Sequence, residues 1–190
     1  MGATTFPRVG GHPAFDLVDT VHWRLDDARA IDTLPDVGAV LDWCAEIDLI
    51  ADPDTLRALA SAAPEQAAAE HAGIIALREA VYEAVFEESP DAAALIAREH
   101  IDALSRSSLH RDGERWHWHP PADLTGPRAA IAHLAHDVLT SDLRAARQCG
   151  DDACGWVYLD TSPRHNRIWC TAAGCGNRNR VKRHHARSRA

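Results

Sequence analysis

Four of the five cysteines in this 190-residue chain stand together, Cys149, Cys154, Cys170 and Cys175, as two C-x4-C pairs with fifteen residues between them. Paired thiols at that spacing are what a tetrahedral zinc site requires: each pair wraps one side of the ion, and the stretch between leaves room for a turn or hairpin. Glycines at 150, 155, 174 and 176 lie beside the cysteines and let the backbone curl around a metal. Two disulfides would use the same residues, but in an oxidising compartment to which no export signal points. A redox or iron–sulfur role is a third use of the same thiols. His165, His184 and His185 are near enough to replace a sulfur, although four cysteines already close the shell of one structural ion.

The cysteines lie in a segment whose charge opposes that of the rest. The net charge of −8 divides into −15 for residues 1–143, with 10 basic and 25 acidic side chains, and +7 for residues 144–190, with 10 basic and three acidic ones. Beyond Asp160 there is no acidic residue, and eight are basic. Four thiolates and one Zn2+ contribute −2, which leaves the segment at about +5. Such a surface suits phosphate, because arginine presents a planar fork of donors to phosphate oxygens and to the guanine edge. A helix over about 171–187 would carry Arg178, Lys182, His185 and Arg189 on one stripe and Arg180, Arg183, His184 and Arg187 on the next. Only Val181 and Ala186 are apolar there, so burial in a core cannot be what holds this helix. The candidate nucleic-acid contacts are Arg164, Arg167, Asn177, Arg178, Arg180, Lys182, Arg183 and Arg187; a solvated arginine-rich tail is the plain alternative.

Catalytic patterns are missing or weak elsewhere. There is no glycine-rich phosphate loop, no G-x-S-x-G and no H-E-x-x-H. Asp26-Asp27 and Glu87-Glu88 are adjacent pairs that point to different sides of a helix and read as solvated faces. His117 and His119, at i and i+2 on a strand, could bind a metal, but no third ligand is placed with them, so they read as a solvent-facing pair beside two core tryptophans. His133 and Asp137, one helical turn apart, read as a local contact, and Cys44 as core. Asp19, Thr20, Trp43 and Arg78 are the candidate lining of a small-molecule site. These observations argue against an enzyme.

The elements that must position these groups are mostly helical. Thr33 can cap a helix entered through Pro35, with Val37, Val40, Leu41, Cys44 and Ile47 at helical spacing. Asp52-Pro53 opens another helix, Pro64 a long one to about Glu87, Ser89-Pro90 a fourth to about Leu104, and Gly126-Pro127 a last one with Ile131, Leu134, Val138 and Leu139 inward. Asp112-Gly113 signals a hairpin ahead of Arg115-Trp116-His117-Trp118-His119, with Trp116 and Trp118 on one face. Gly155 to Asp160 is strand-prone. The expected fold is mainly α: a helical domain with a small β-hairpin over residues 1–143, then a treble-clef-like zinc module with a basic C-terminal helix over residues 144–190. No linker separates the two parts.

Cys149-Gly-Asp-Asp-Ala-Cys154, Tyr158-Leu159-Asp160-Thr161-Ser162, Asn166-Arg167, Trp169-Cys170 and Cys175-Gly176-Asn177-Arg178 resemble the CGNR zinc finger, named for those last four residues. Gly11-His-Pro-Ala-Phe15-Asp16-Leu17-Val18-Asp19-Thr20 and the stretch from Leu34-Pro35 through Trp43 to Leu49-Ile50 resemble the ABATE domain, which precedes that finger in bacterial proteins and is linked to stress-induced transcription. The Asp19 position is usually Asn in that domain. The resemblance covers nearly the whole chain and implies DNA binding through the finger.

The reading that follows is a DNA-binding transcriptional regulator with one structural zinc, its acidic domain sensing a small-molecule effector or a partner, with a homodimer as the expected assembly. RNA or an acidic protein surface is the alternative partner, with Trp156, Tyr158 and Trp169 stacking bases or, more plainly, covering a small zinc core. No apolar run is long enough for a membrane helix and the N-terminus lacks a signal-peptide block, so the protein is expected in the cytoplasm. The acidic domain is also expected to be able to screen the basic helix.

Overall fold

The computed structural model describes residues 6–188. In chain order its elements begin with α1 (Pro13–Val18), β1 (Val21–His22), β2 (Ile31–Asp32), α2 (Val37–Glu46), α3 (Pro53–Ala62) and α4 (Pro64–Phe86). They continue with α5 (Pro90–Arg106), β3 (Ser108–Asp112), β4 (Arg115–His119), α6 (Gly126–Thr140), β5 (Ala146–Gln148), β6 (Val157–Leu159) and α7 (Asn177–Arg187). Among the described residues these are seven α-helices and three two-stranded antiparallel sheets, β1–β2, β3–β4 and β5–β6. The mainly α class stands.

The chain divides into two compact units. One combines the stretch up to Thr33 with the stretch from Asp142 onward, and the other runs Leu34–Ser141. The chain passes between the units twice, between Thr33 and Leu34 and between Ser141 and Asp142.

The physical reason is a set of backbone bonds that stitch the N-terminal stretch to the cysteine segment. Leu159 N–H donates to Gly10 O (2.8 Å), Arg24 N–H to Cys154 O (3.1 Å) and Trp156 Nε1–H to Val21 O (3.2 Å). Val157 N–H donates to Oδ1 of the buried Asp19 (2.8 Å). Gly155, at φ +69°, closes this seam: a Cβ there would lie 2.7 Å from the Cβ of Arg24. α1 itself is capped by His12, whose Nδ1 accepts from Ala14 N–H (3.1 Å), and it buries Phe15, Leu17 and Val18.

The Leu34–Ser141 unit is built on α4, α5 and α6 packed together, with α2 and α3 alongside α4. Its core holds Leu41, Trp43, Cys44, Ile74, Leu77, Val81, Ile96, Ala103, Ile131 and Val138. Leu134 and Leu139 are only half-buried. Asp52 and Ser89 cap α3 and α5 as their positions suggest. α2 is capped by Asp36, which accepts from Ala39 N–H (2.9 Å), and not by Thr33, whose hydroxyl donates to Thr20 O (2.8 Å). Asp36 directly precedes Val37 and so lies three residues closer than Thr33 to the first free N–H groups.

The hairpin departs from expectation in its surroundings. β3 and β4 pair around Asp112-Gly113 in the register Leu109↔Trp118 and Arg111↔Trp116. Both strands are exposed along their whole length, with Trp116 at 62 % and Trp118 at 47 %. A two-stranded ribbon has two faces, and no further layer covers either, so these tryptophans are not core.

Candidate metal centre

The cysteine segment folds from both ends toward one point. β5 and β6 pair in register Ala146↔Leu159 to Gln148↔Val157, and the loop they enclose holds Cys149 and Cys154. Cys149 N–H donates to Trp156 O (2.7 Å) and Cys154 N–H to Asp151 O (3.0 Å), which curls the loop into a knuckle. From Asp160 to Trp169 the chain is irregular, tied down by Asp160, whose carboxylate accepts from Ser162 N–H (3.0 Å) and Arg167 N–H (2.9 Å). The hairpin of the module is therefore β5–β6 around the knuckle, and Ile168-Trp169 forms no strand. Cys170 follows, then a π turn over Ala172–Gly176 opened by Thr171, and α7 starts only at Asn177. The two glycines of the turn delay the helix until Cys175 has reached its place.

The ligand atoms of Cys149, Cys154, Cys170 and Cys175 all lie within 4.8 Å of one another, and all four residues are buried. The Cys154–Cys170 and Cys170–Cys175 sulfur separations are 3.8 and 3.4 Å. A disulfide would need about 2.05 Å, whereas sulfurs at the corners of a tetrahedron with Zn–S of about 2.3 Å are about 3.8 Å apart. The thiols are unbridged, and their arrangement fits one structural zinc ion. Cys170 N–H points at Cys149 Sγ (3.4 Å), which helps to hold a thiolate there. Tyr158 is buried among the sulfurs and the half-buried Trp156 and Trp169 pack against them, so these aromatics form the small core of the module.

Two of the arginines singled out in the sequence turn inward. Arg178 donates through Nε and Nη2 to Asp151 Oδ2 (both 3.1 Å) and through Nη2 to Cys175 Sγ (3.0 Å), and its guanidinium lies 4.3 Å over the Trp23 ring. It neutralises part of the −2 that a zinc–tetrathiolate centre carries. Asp151 also accepts from Asn179 Nδ2 (2.5 Å). Burial pushes its carboxyl upward, but the bonds from Ala153, Asn179 and Arg178 prevail and hold it below the ordinary carboxylate value. Arg167 stacks 3.8 Å over Tyr158 and donates to the carbonyls of Trp169 (3.0 Å), Val9 (3.3 Å) and Cys170. Arg178, expected on a helical stripe, is only partly exposed, and its guanidinium is bound within the finger. Asp151, Trp23 and Asn179 are the partners that sequence reasoning missed; only the nearness of Asp151 to Cys149 hinted at one of them.

The remaining basic residues are exposed. Arg164, Asn177, Arg180, Lys182, Arg183 and Arg187 all face solvent, and Arg180, Arg183, His184 and Arg187 line a shallow cleft of about 300 Å3 on α7. Arg189 lies outside the described residues. Of the four small-molecule candidates, Asp19 and Thr20 belong to the first unit and Trp43 and Arg78 to the second, and all are buried. Thr20 donates to Leu17 O and Arg78 to Glu79 (2.8 Å), while Asp19 Oδ2 and Trp43 Nε1 are buried without a hydrogen-bond partner. A cavity of about 370 Å3, bordered by His22, Trp23, Trp156, Cys154, Cys170 and Arg178, lies beside the cysteine cluster.

A four-cysteine knuckle-and-helix centre beside a helical unit defines a zinc-finger protein. The comparisons agree: residues 146–188 match the CGNR zinc finger, and residues 11–142 match ABATE, described as "Putative stress-induced transcription regulator". The chain belongs to the ABATE family and carries a C-terminal CGNR zinc finger. A search of the curated proteins found no match. Among the described residues no helix is long and apolar enough to cross a membrane.

Proposed function

We propose that the protein is a zinc-dependent DNA-binding transcriptional regulator whose finger contacts duplex phosphates through α7 and whose helical unit responds to a small effector or a partner. The observation that supports it is the cleft lined by Arg180, Arg183, His184 and Arg187: four cationic or ionisable side chains on an exposed helix that buries none of its residues and is anchored at its start by Cys175. The interface comprises Arg164, Asn177, Arg180, Lys182, Arg183 and Arg187. Arg167 and Arg178 support it from within the finger. A single eleven-residue helix covers few base pairs, so a pair of chains reading two half-sites is the functional unit. Asp19 and Trp43 are the first places to look for an effector, because each buries a polar atom that a ligand could satisfy.

Selection from a pool of random duplexes tests this reading. Zinc-loaded protein should enrich a common site, and chelation should abolish enrichment. Recovery of no duplex, or equal recovery after chelation, would contradict it. Single-stranded RNA as competitor distinguishes the other nucleic-acid partner.

A further inference from the structure

Three histidines of the Leu34–Ser141 unit meet between α5 and α6. His100 comes from α5, and His133 and His136 from α6. His100 Nδ1 and His133 Nδ1 are 3.2 Å apart, their rings edge to face with centroids at 5.1 Å. His136 stacks flat on His100 at 3.8 Å. All three are half-buried.

The proton on His133 can be placed from its neighbours. Ser107 Oγ donates its hydrogen to Ala103 O (2.7 Å), so toward His133 Nε2, at 3.4 Å, it can only accept. Nε2 therefore carries the proton, and the Nδ1 lone pair faces His100. An imidazole held at its outer nitrogen by an oxygen acceptor, with the inner nitrogen free, is the arrangement that orients metal-binding histidines. With metal–nitrogen bonds of about 2.0–2.1 Å, two adjacent ligand nitrogens are about 3.0 Å apart in an octahedral site and about 3.4 Å in a tetrahedral one; the observed separation falls between. Burial, and then the neighbouring imidazoles, lower the pKa of both His100 and His133, which favours their neutral rings; without an ion His100 Nδ1–H donates to His133 Nδ1, and an ion held between the two nitrogens moves that proton to His100 Nε2.

We propose that His100 and His133 form a binding site for a divalent transition-metal ion, with Ser107 fixing the His133 ring and His136 placed to become a third ligand by rotation of its side chain. Nitrogen donors of this type suit Zn2+, Ni2+ and Cu2+ over Mg2+ or Ca2+. An ion there would clamp α5 to α6. As a candidate effector of the helical unit it rests on the sensing role proposed above; the binding itself does not.

The test uses the full chain with its finger loaded with zinc and Ni2+ as the probe, in equilibrium dialysis with metal counted by mass spectrometry. One Ni2+ per chain is expected besides the zinc. Loss of a metal ligand costs at least as much as loss of its outer partner, so His100→Asn and His133→Gln should each weaken Ni2+ by a hundredfold or more, and Ser107→Ala by about tenfold. His117→Gln with His119→Gln, on the exposed hairpin, should leave it unchanged. Absence of Ni2+, which leaves only a hydrogen-bonded histidine pair, or Ni2+ that survives both ligand variants, overturns the proposal. Should those variants unfold, Ni2+ must broaden the His100 and His133 ring resonances of the wild-type chain first; earlier broadening at His117, His119, His184 or His185 overturns it. Failure here leaves DNA binding untouched, and DNA binding can fail with Ni2+ still bound.

Discussion

Asp19 shows how one side chain couples the N-terminal motif to the finger. Its Oδ1 holds Val157 N–H in β6 while Oδ2 is buried without a partner. Burial raises its pKa well above the ordinary value, and the Val157 bond only partly opposes this. Unfolded, the group titrates near about 3.9. Below that pH both states bind the proton; as pH rises toward the elevated folded value the unfolded state releases it first, so stability falls with rising pH. Asp19→Asn keeps the acceptor for Val157 and removes the linkage. It should raise stability at pH 7 by on the order of 1–2 kcal/mol and flatten the decline above about pH 4, as read by denaturant unfolding across pH; an unchanged slope would assign the decline to another group. The amide that the ABATE resemblance places here is thus the more stable choice. Among the ligands, Cys175→Ser should abolish stoichiometric zinc and the finger's near-UV dichroism, whereas Cys44→Ser, far from any ligand role, should leave zinc content unchanged. Burial pushes the Cys44 thiol up to about 12, so it is also unreactive toward thiol reagents in the native state.

At the scale of elements, the finger is not a self-contained module. Leu159 N–H in β6 donates to Gly10 O, Cys154 O accepts from Arg24 N–H, the Trp156 indole donates to Val21 O, and Arg167 reaches Val9. A fragment of residues 144–190 should therefore bind zinc more weakly and melt lower than the same segment in the full chain; equal zinc affinity would show the seam to be dispensable. Gly155→Ala tests the seam within the intact chain. The positive φ and the close approach of Arg24 should together cost about 1–2 kcal/mol, seen as a lower melting temperature and partial loss of zinc. The ligands, the helix starts at Pro53, Pro64 and Pro90 and the Asp112-Gly113 turn were all legible in the sequence because each is a local pattern. The pairing of residues near 10–24 with residues 154–159 was not, because long-range backbone bonds leave no periodic trace. The inward turn of Arg178 escaped for a related reason: helical spacing assigns a face but says nothing of a carboxylate or ring waiting across a loop. The exposure of Trp116 and Trp118 was missed because alternation identifies the faces of a strand and not whether a second layer covers one.

For the whole molecule, the units narrow the charge asymmetry without reversing it. Residues 34–141 hold seven basic and 19 acidic side chains, a net −12, while the other unit holds 13 basic and nine acidic, a net +4. Much of the acidity assigned to residues 1–143 therefore belongs to the helical unit alone.

The most direct measurement follows the anisotropy of a labelled duplex titrated with zinc-loaded full chain at a series of salt concentrations. With about five phosphate contacts from Arg164, Arg180, Lys182, Arg183 and Arg187, log K should fall with log[salt] at a slope near −4 to −5. Replacing Arg180, Arg183 or Arg187 by alanine should weaken binding and make the slope shallower by about one per contact removed. Duplex binding that ignores salt and these arginines, or no binding by protein whose zinc is in place, would contradict the assignment of α7 as a DNA-contacting helix.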